Sequence, residues 1–336
     1  MTRNEHSPVA ARNQLDDLVR RFGDGDRRAL ARLITLVENG GEQASYLMER
    51  LYPAPGKGHV IGITGPPGAG KSTLVSQLTA GFRARGQKVA VLAFDPSSPF
   101  SGGAVLGDRV RMLSHYRDPG VYIRSLATRG SHGGLSRAAR EAVRLLQAFG
   151  FDRILVETAG VGQTELDIMD LADTIAVVLV PEAGDSIQVM KAGLNEIADV
   201  FVVNKSDREG AQRLRMELLN DVHMRPGDKW QPPVLLTQAT TGVGTEGLLA
   251  ELERHLTFVR QRRDPAVERG RREREFTQVL VDETLRHVNV ALAARAGREL
   301  LDQVCAGSLN PYAAARMLIE GRLPAAPDTS SNGGAR

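Results

Sequence analysis

Short runs of apolar and β-branched residues recur through the middle of the chain, at His59–Thr64, Lys88–Phe94, Val121–Ser125, Arg153–Glu157, Thr174–Val180, Val200–Val203 and Val234–Thr237. Most are continuous rather than alternating in hydrophobicity, the pattern of strands buried on both faces. Between most of them lie amphipathic stretches of helix length: Lys71–Arg85, Ser136–Phe149, Ser186–Glu196, Arg208–His223 and Gly244–Arg260. Strands that alternate with helices predict an α/β fold, a doubly wound and mostly parallel sheet over residues 56–262.

The flanks differ in pattern. Before the first strand, Leu15–Phe22, Asp26–Glu38 and Gly41–Leu51 suggest helices. In the second of these, Leu30, Leu33, Ile34 and Val37 fall at helical spacing behind a candidate N-cap, Asp26. Residues 1–55 therefore read as an N-terminal helical extension, closed by the breaker Pro53-Ala54-Pro55-Gly56. After residue 262 the strand signals stop. Pro265–Ala294 reads as a long charged helix and Pro311–Glu320 as another, so residues 263–324 form a C-terminal helical arm. Residues 325–336 (AAPDTSSNGGAR) are rich in Ser, Gly and Pro and read as a disordered tail.

Ligands of doubly wound sheets bind beyond the carboxyl ends of the strands. Those ends carry GPPGAGKS, FDPSSP, ETAGVGQ, VPEAGDS, VNKSD and TQATTG, which gathers the conspicuous polar and glycine clusters on one rim. GPPGAGKS, Gly65 to Ser72, matches G-x-x-x-x-G-K-[ST] between a strand and a helix, the context that motif needs. Gly65, Gly68, Ala69 and Gly70 would turn backbone N–H groups onto phosphates at a helix's positive end. Lys71 would reach the β- and γ-phosphates, Ser72 the Mg²⁺ shell and Thr73 the α-phosphate.

VNKSD ends a later strand. The Asp207 carboxylate can accept from guanine N1–H and N2–H₂, a donor pair that adenine lacks, so the pattern selects GTP and GDP over ATP. Asn204 would hold the loop and touch the purine edge, the Lys205 stem would cover the base plane, and the Ala239 N–H would face the guanine O6. Three rim carboxylates, Asp95, Asp108 and Glu157, are candidates for the metal side. Mg²⁺ keeps several waters and takes few protein ligands, so beside Ser72 and phosphates these acids would act through water. Each also suits a purely structural role: Asp95-Pro96-Ser97-Ser98-Pro99 would make an Asx-type turn without a metal. Glu157 stands out, because most nucleotide hydrolases place Asp at the end of this strand.

Composition narrows the classes. The formal charge is +3 over 336 residues, a mild Arg excess that does not point to a nucleic-acid partner. One cysteine, Cys305, excludes an internal disulfide framework and a multi-thiolate metal site built by one chain. Apolar runs such as Thr174–Val180 fall far short of the roughly 18 residues that span a bilayer, so no membrane partner is expected. With Glu5, Asp16 and Asp17 near the start and no apolar segment there, a cytoplasmic location is expected.

GITGPPGAGKST, VLAFDPSSPFSGGAVLGDRVRM, YIRSLATRGSHGGLSRA, ILVETAGVGQTE, GDSIQVMKAGLNEIADVFVVNKSD and TTGVGTEGL together resemble a known family. It is that of the G-protein chaperones associated with methylmalonyl-CoA mutase, the MeaB/ArgK-type GTPases, and the similarity runs from Leu30 to Leu256. Glu157 and the GVGQ that follows belong to that family's pattern. The resemblance implies a P-loop NTPase fold of the signal-recognition-particle GTPase class, with Mg²⁺-dependent GTP hydrolysis that is slow alone and faster on a partner. The implied partner is an adenosylcobalamin-dependent acyl-CoA mutase whose cofactor loading is gated and whose inactivated cofactor is ejected. The cobalamin would belong to that partner, and nothing in the chain resembles D-x-H-x-x-G.

By position, Asp95 to Asp108 with Arg111 match the first switch, and Glu157 to Gln163 the second. GDSIQVMK, with Asp185, Gln188 and Lys191, matches a third switch that relays nucleotide state to the mutase. Lys71, Asp108, Arg111, Glu157 and Gln163 are thereby the catalytic candidates, with Arg111 acting as an arginine finger and Gln163 or Asp108 orienting water. Read without the resemblance, Gln188 and Lys191 are a solvated helix face and Arg111 is a surface ion pair. The C-terminal helices resemble the arm through which such proteins form homodimers. Their Arg260, Arg262, Arg263, Arg269, Arg271, Arg272 and Arg274 alternate with acids, as on an exposed, charge-laced helix. Two positions depart from the family pattern: Ala159 stands where Val is expected, and TQATTGVG replaces the usual T-S-A at the base loop. A metallochaperone GTPase delivering metal to a metalloenzyme is the alternative reading, and an amino-acid transport kinase a third.

Overall fold

A computed structural model of the chain describes residues 8–51, 58–96, 115–128, 137–158, 168–181, 196–224, 230–262 and 265–321. Seven strands form one all-parallel sheet: β1 (His59–Thr64), β2 (Val89–Pro96), β3 (Val121–Thr128), β4 (Arg153–Glu157), β5 (Thr174–Leu179), β6 (Val200–Val203) and β7 (Val234–Leu236). Their spatial order is β3-β2-β4-β1-β5-β6-β7. The described helices of the same part of the chain are α1 (Pro8–Gly23), α2 (Arg27–Asn39), α3 (Glu42–Leu51), α4 (Lys71–Ala84), α5 (Arg137–Phe149), α6 (Ala211–His223) and α7 (Thr245–Gln261).

The continuous apolar runs are explained by burial on two sides. β1 gives Val60 to one core and Ile61 and Ile63 to the other; β4 divides Ile154 and Val156 from Leu155; β6 divides Phe201 and Val203 from Val200 and Val202. Leu74, Leu78 and Phe82 of α4 close one face with Leu248, Leu249 and Leu252 of α7. The other face is covered by α1, α2, α3, α5 and α6. Leu30, Leu33 and Ile34 of α2 are fully buried there, each a stabilisation of about 1.5–3 kcal/mol. Asp26 caps α2 as its sequence suggests, its carboxylate accepting from Arg28 N at 2.7 Å and Ala29 N at 3.4 Å. Arg124 of β3 donates to Glu38 of α2 at 2.8 Å and joins helix to strand.

The chain divides into two compact units, Met1–Arg263 and Asp264–Arg336. In the second, α8 (Pro265–Ala293), α9 (Arg295–Cys305) and α10 (Pro311–Ile319) pack on one another. Phe276, Leu280, Leu285 and Val290 of α8 are exposed. The sequence reading marks no element at α9, although Ala296, Leu300, Leu301 and Val304 recur there at helical spacing; Gly297 and Leu300 are buried. The expected helix Ser186–Glu196 lies almost wholly outside the described residues. No helix among the described residues is long and apolar enough to cross a membrane.

β1 pairs with β4 on one side and β5 on the other. The chain runs from β1 past β4 to β2, and only later fills the opposite side with β5, β6 and β7. The carboxyl end of β1 therefore lies where the winding reverses, the place where doubly wound sheets open a crevice for ligands.

Candidate nucleotide site

β1 runs directly into the loop Gly65–Gly70, and α4 begins at Lys71. Gly65 has φ 137°, and a Cβ there would collide with the Val178 carbonyl oxygen of β5. Gly70, the N-cap of α4, has φ 88°, and a Cβ would collide with Asn204 Nδ2. Both positions need glycine for conformation and for space. Gly70 supplies no side-chain cap, and the positive end of the α4 dipole lies at this loop, a disposition suited to an anion. The buried Lys71 ammonium donates to the carbonyls of Gly65 at 2.8 Å and Pro66 at 3.0 Å, which places its charge inside the loop's own curve.

The next residue links this loop to β4. Ser72 Oγ donates to Glu157 Oε1 at 2.6 Å, and Glu157 is only 4% exposed. A short hydroxyl–carboxylate bond marks a charge-assisted contact. Beside it, Thr158 Oγ1 donates to Thr64 Oγ1 at 3.0 Å, and the Thr158 N–H donates to Ile63 O at 3.1 Å. Both threonines are buried. The pair fixes how β1 and β4 end, and therefore where Ser72 and Glu157 meet. Two hard oxygen donors beside a phosphate loop fit Mg²⁺, which prefers oxygen ligands.

The third part of the site is a junction at Asn204, just beyond β6. Its Nδ2 donates to Ala69 O of the phosphate loop at 2.8 Å. Its Oδ1 accepts from Thr237 Oγ1 at 3.1 Å and from Ala239 N at 3.0 Å. Asn204, Thr237, Ala69 and Ala239 are all buried, so one amide joins three loops that are far apart in sequence. The chain then turns through Lys205 at φ 55°, a left-handed conformation rare for a side chain of this length. That turn leaves Asp207 exposed on the rim.

Gly65, Gly68, Ala69, Gly70, Lys71, Ser72, Thr73, Glu157, Asn204, Lys205, Asp207 and Ala239 thus lie on the loops and helix start at the carboxyl ends of β1, β4, β6 and β7. The Ala239 N–H, expected to face a purine, here donates to Asn204. Asp95 sits near the end of β2, in register with Ala127 of β3; its side chain lies outside the described part. Asp108, Arg111, Gln163, Asp185, Gln188 and Lys191 lie outside the described residues. Thr64, Thr158 and Thr237 escaped the sequence reading. Their only signal is position, each standing at or just past the end of a strand.

Three comparisons bear on this site. The family model for "Methylmalonyl Co-A mutase-associated GTPase MeaB" matches residues 30–293. A putative GTPase of Pyrococcus horikoshii is 46% identical over 311 residues, covering 91% of this chain and 98% of the relative. The mitochondrial methylmalonic aciduria type A homolog of Mus musculus is 32% identical, over 91% of this chain and 81% of its own. Among solved structures, a crystal structure of a LAO/AO transport system kinase superposes with a TM-score of 0.65 at 26% identity, covering 96% of this chain and 99% of that one.

Proposed function

Because the chain belongs to the family of the methylmalonyl Co-A mutase-associated GTPase MeaB, we propose that it is a GTP-hydrolysing chaperone of an adenosylcobalamin-dependent acyl-CoA mutase. It gates loading of the cofactor on that mutase and protects or reactivates the enzyme. The observation that carries this reading is the Asn204 amide, which ties the phosphate loop through Ala69 to the base loop through Thr237 and Ala239. The phosphate loop is thereby joined to the loops that carry Asp207 and Ala239, which supports reading them as parts of one nucleotide site.

Within it, the first-turn N–H groups of α4 and the Lys71 ammonium bind the phosphates, and Asp207 accepts from the guanine edge. Ser72, with Glu157 acting through a water, would hold Mg²⁺, which when bound would supply charge neutralisation at the phosphates. Gln163 or Asp108 orients the attacking water, and Arg111 stabilises developing charge once the mutase is bound. In phosphoryl transfer most of the protein's work is such positioning. Asp185, Gln188 and Lys191 relay the nucleotide state to the mutase. The helices after residue 263 pair two copies of the chain, and the work is done in the cytoplasm.

Two measurements test the proposal. Fluorescent GTP and GDP should bind the purified chain with ATP failing to compete, and Asp207→Ala should erase that preference. The tagged chain should retain an adenosylcobalamin-dependent mutase on a column in a nucleotide-dependent manner. Equal affinity for ATP, or no retention of any acyl-CoA mutase, would overturn it.

A further inference from the structure

At the end of the sheet opposite the nucleotide rim, three buried polar residues and a half-buried Asp199 form a chain that the function above does not use. His59 opens β1, Thr174 opens β5, Asp199 precedes β6 and His255 lies on α7. His59 Nε2 and His255 Nδ1 each lie 2.7 Å from the one hydroxyl of Thr174. His255 Nε2 lies 3.3 Å from Asp199 Oδ1, and Asp199 Oδ2 accepts from Ile175 N at 2.8 Å. His59, Thr174 and His255 are buried. His59 Nδ1 is also buried and has no hydrogen-bond partner among the described residues.

A hydroxyl has one proton, so Thr174 donates to one ring and accepts from the other. The Asp199 carboxylate favours a proton on His255 Nε2, which makes His255 Nδ1 the acceptor of the Thr174 hydroxyl. The Thr174 oxygen then accepts from His59 Nε2–H, and the unpartnered His59 Nδ1 is a bare lone pair. The opposite assignment would leave a buried N–H without an acceptor, the costlier orphan. A proton added at either ring gives that same result. On His59 it must go to Nδ1. On His255 it turns Nδ1 into a donor, reverses the Thr174 hydroxyl and drives the His59 proton onto Nδ1.

We propose that His59, Thr174, His255 and Asp199 are an acid-sensitive latch: a neutral hydrogen-bond relay that fastens α7 to the amino-terminal ends of β1 and β5 and opens when a ring is protonated. The groups around His59 agree with a neutral ring there. From β4, Arg153 faces His59 and donates to Glu253 of α7 at 2.5 Å; Arg260 of α7 adds positive charge, and Glu253 opposes it. Asp173, before β5, is occupied by Val60 N at 3.0 Å. Arg254 of α7 stacks on Trp230 at 4.4 Å, and the Trp230 N–H donates to Asp199 O at 2.7 Å. Burial first and Arg153 second push His59 from 6.5 down to about 3. The latch acts on α7, the helix after which the chain passes at residues 263–264 into its second unit.

Nitrogen NMR of the histidine rings in the full chain at neutral pH reads the relay directly, with signals assigned through His59→Gln and His255→Gln. Both rings should carry their proton on Nε2; a proton on Nδ1 of His59 overturns the relay. The chain's one tryptophan, Trp230, lies 4.7 Å from His255, centroid to centroid, and reports the opening. On acidification its emission should change in the wild type, and the response should shrink in either variant and be lost in the double variant. Gln at 255 keeps an acceptor for Thr174 and a donor for Asp199, and Gln at 59 keeps a donor for Thr174, so the variants remain latched. An acid response of the same size and midpoint in wild type and double variant overturns the latch.

Discussion

Replacing Asn204 by Ala removes three buried hydrogen bonds at once. It strands the Ala69 carbonyl, the Thr237 hydroxyl and the Ala239 N–H. A buried group left without its partner costs about 1–3 kcal/mol, so the three together span about 3–9 kcal/mol. The space vacated by the amide is polar-walled and can admit water, which favours the low end, about 3 kcal/mol. Against a usual total of about 5–15 kcal/mol this is a large fraction. Two further variants grade the effect. Thr237→Val removes one donor while Asn204 Oδ1 keeps Ala239 N, and should cost about 1 kcal/mol. Asn204→Asp keeps both bonds to the base loop but sets a carboxylate against the Ala69 carbonyl, so it should uncouple the phosphate loop selectively. Urea unfolding followed by Trp230 fluorescence gives the stabilities, and titration with fluorescent GDP gives the affinities. The expected order of loss is Thr237→Val below Asn204→Ala in stability, with nucleotide affinity reduced in both Asn204 variants. An Asn204→Ala protein that loses less than about 1 kcal/mol and binds GDP normally would refute the junction.

Three other outcomes follow from the same geometry. Glu157→Ala breaks the 2.6 Å bond to Ser72 and should lower Mg²⁺-dependent GTP turnover by about 10–100-fold, the usual effect of removing a group that orients a metal ligand; turnover at the wild-type rate contradicts this role. Gly65→Ala meets both a positive φ and the Val178 carbonyl, so it should abolish nucleotide binding and lower the melting temperature; an unchanged melting curve contradicts the packing described. Stability should fall with acid through His59. The unfolded ring takes up a proton below about 6.5 while the folded ring resists to about 3, so the unfolded state binds more protons throughout that window. By pH 5 the loss is about 2 kcal/mol, and His59→Gln should flatten the pH dependence of urea unfolding between those values.

The sheet was legible because burial on both faces forces unbroken apolar runs. His59–Thr64, Arg153–Glu157 and Val200–Val203 begin and end in the structure at the residues the sequence pattern marks. The phosphate loop and NKSD were legible as short local motifs at strand ends, the rim where ligands of doubly wound sheets bind. The joints between them were not. Asn204 meets Ala69 across 135 positions and Ala239 across 35, and no local pattern encodes such a pairing. Thr158 and Thr64 read as ordinary strand-end threonines. The relay was invisible for the same reason: His59, Thr174 and His255 each satisfy the local pattern of a strand or a helix, and only the fold brings them together. α9 was different: Ala296, Leu300, Leu301 and Val304 do recur at helical spacing, so that helix was legible and was missed.

Phosphate release from GTP by the purified chain, measured with and without an adenosylcobalamin-dependent acyl-CoA mutase, tests the proposed function most directly. Turnover should be slow alone, rise on addition of the mutase, and be absent with ATP under both conditions. A rate with GTP that no such mutase changes would contradict it.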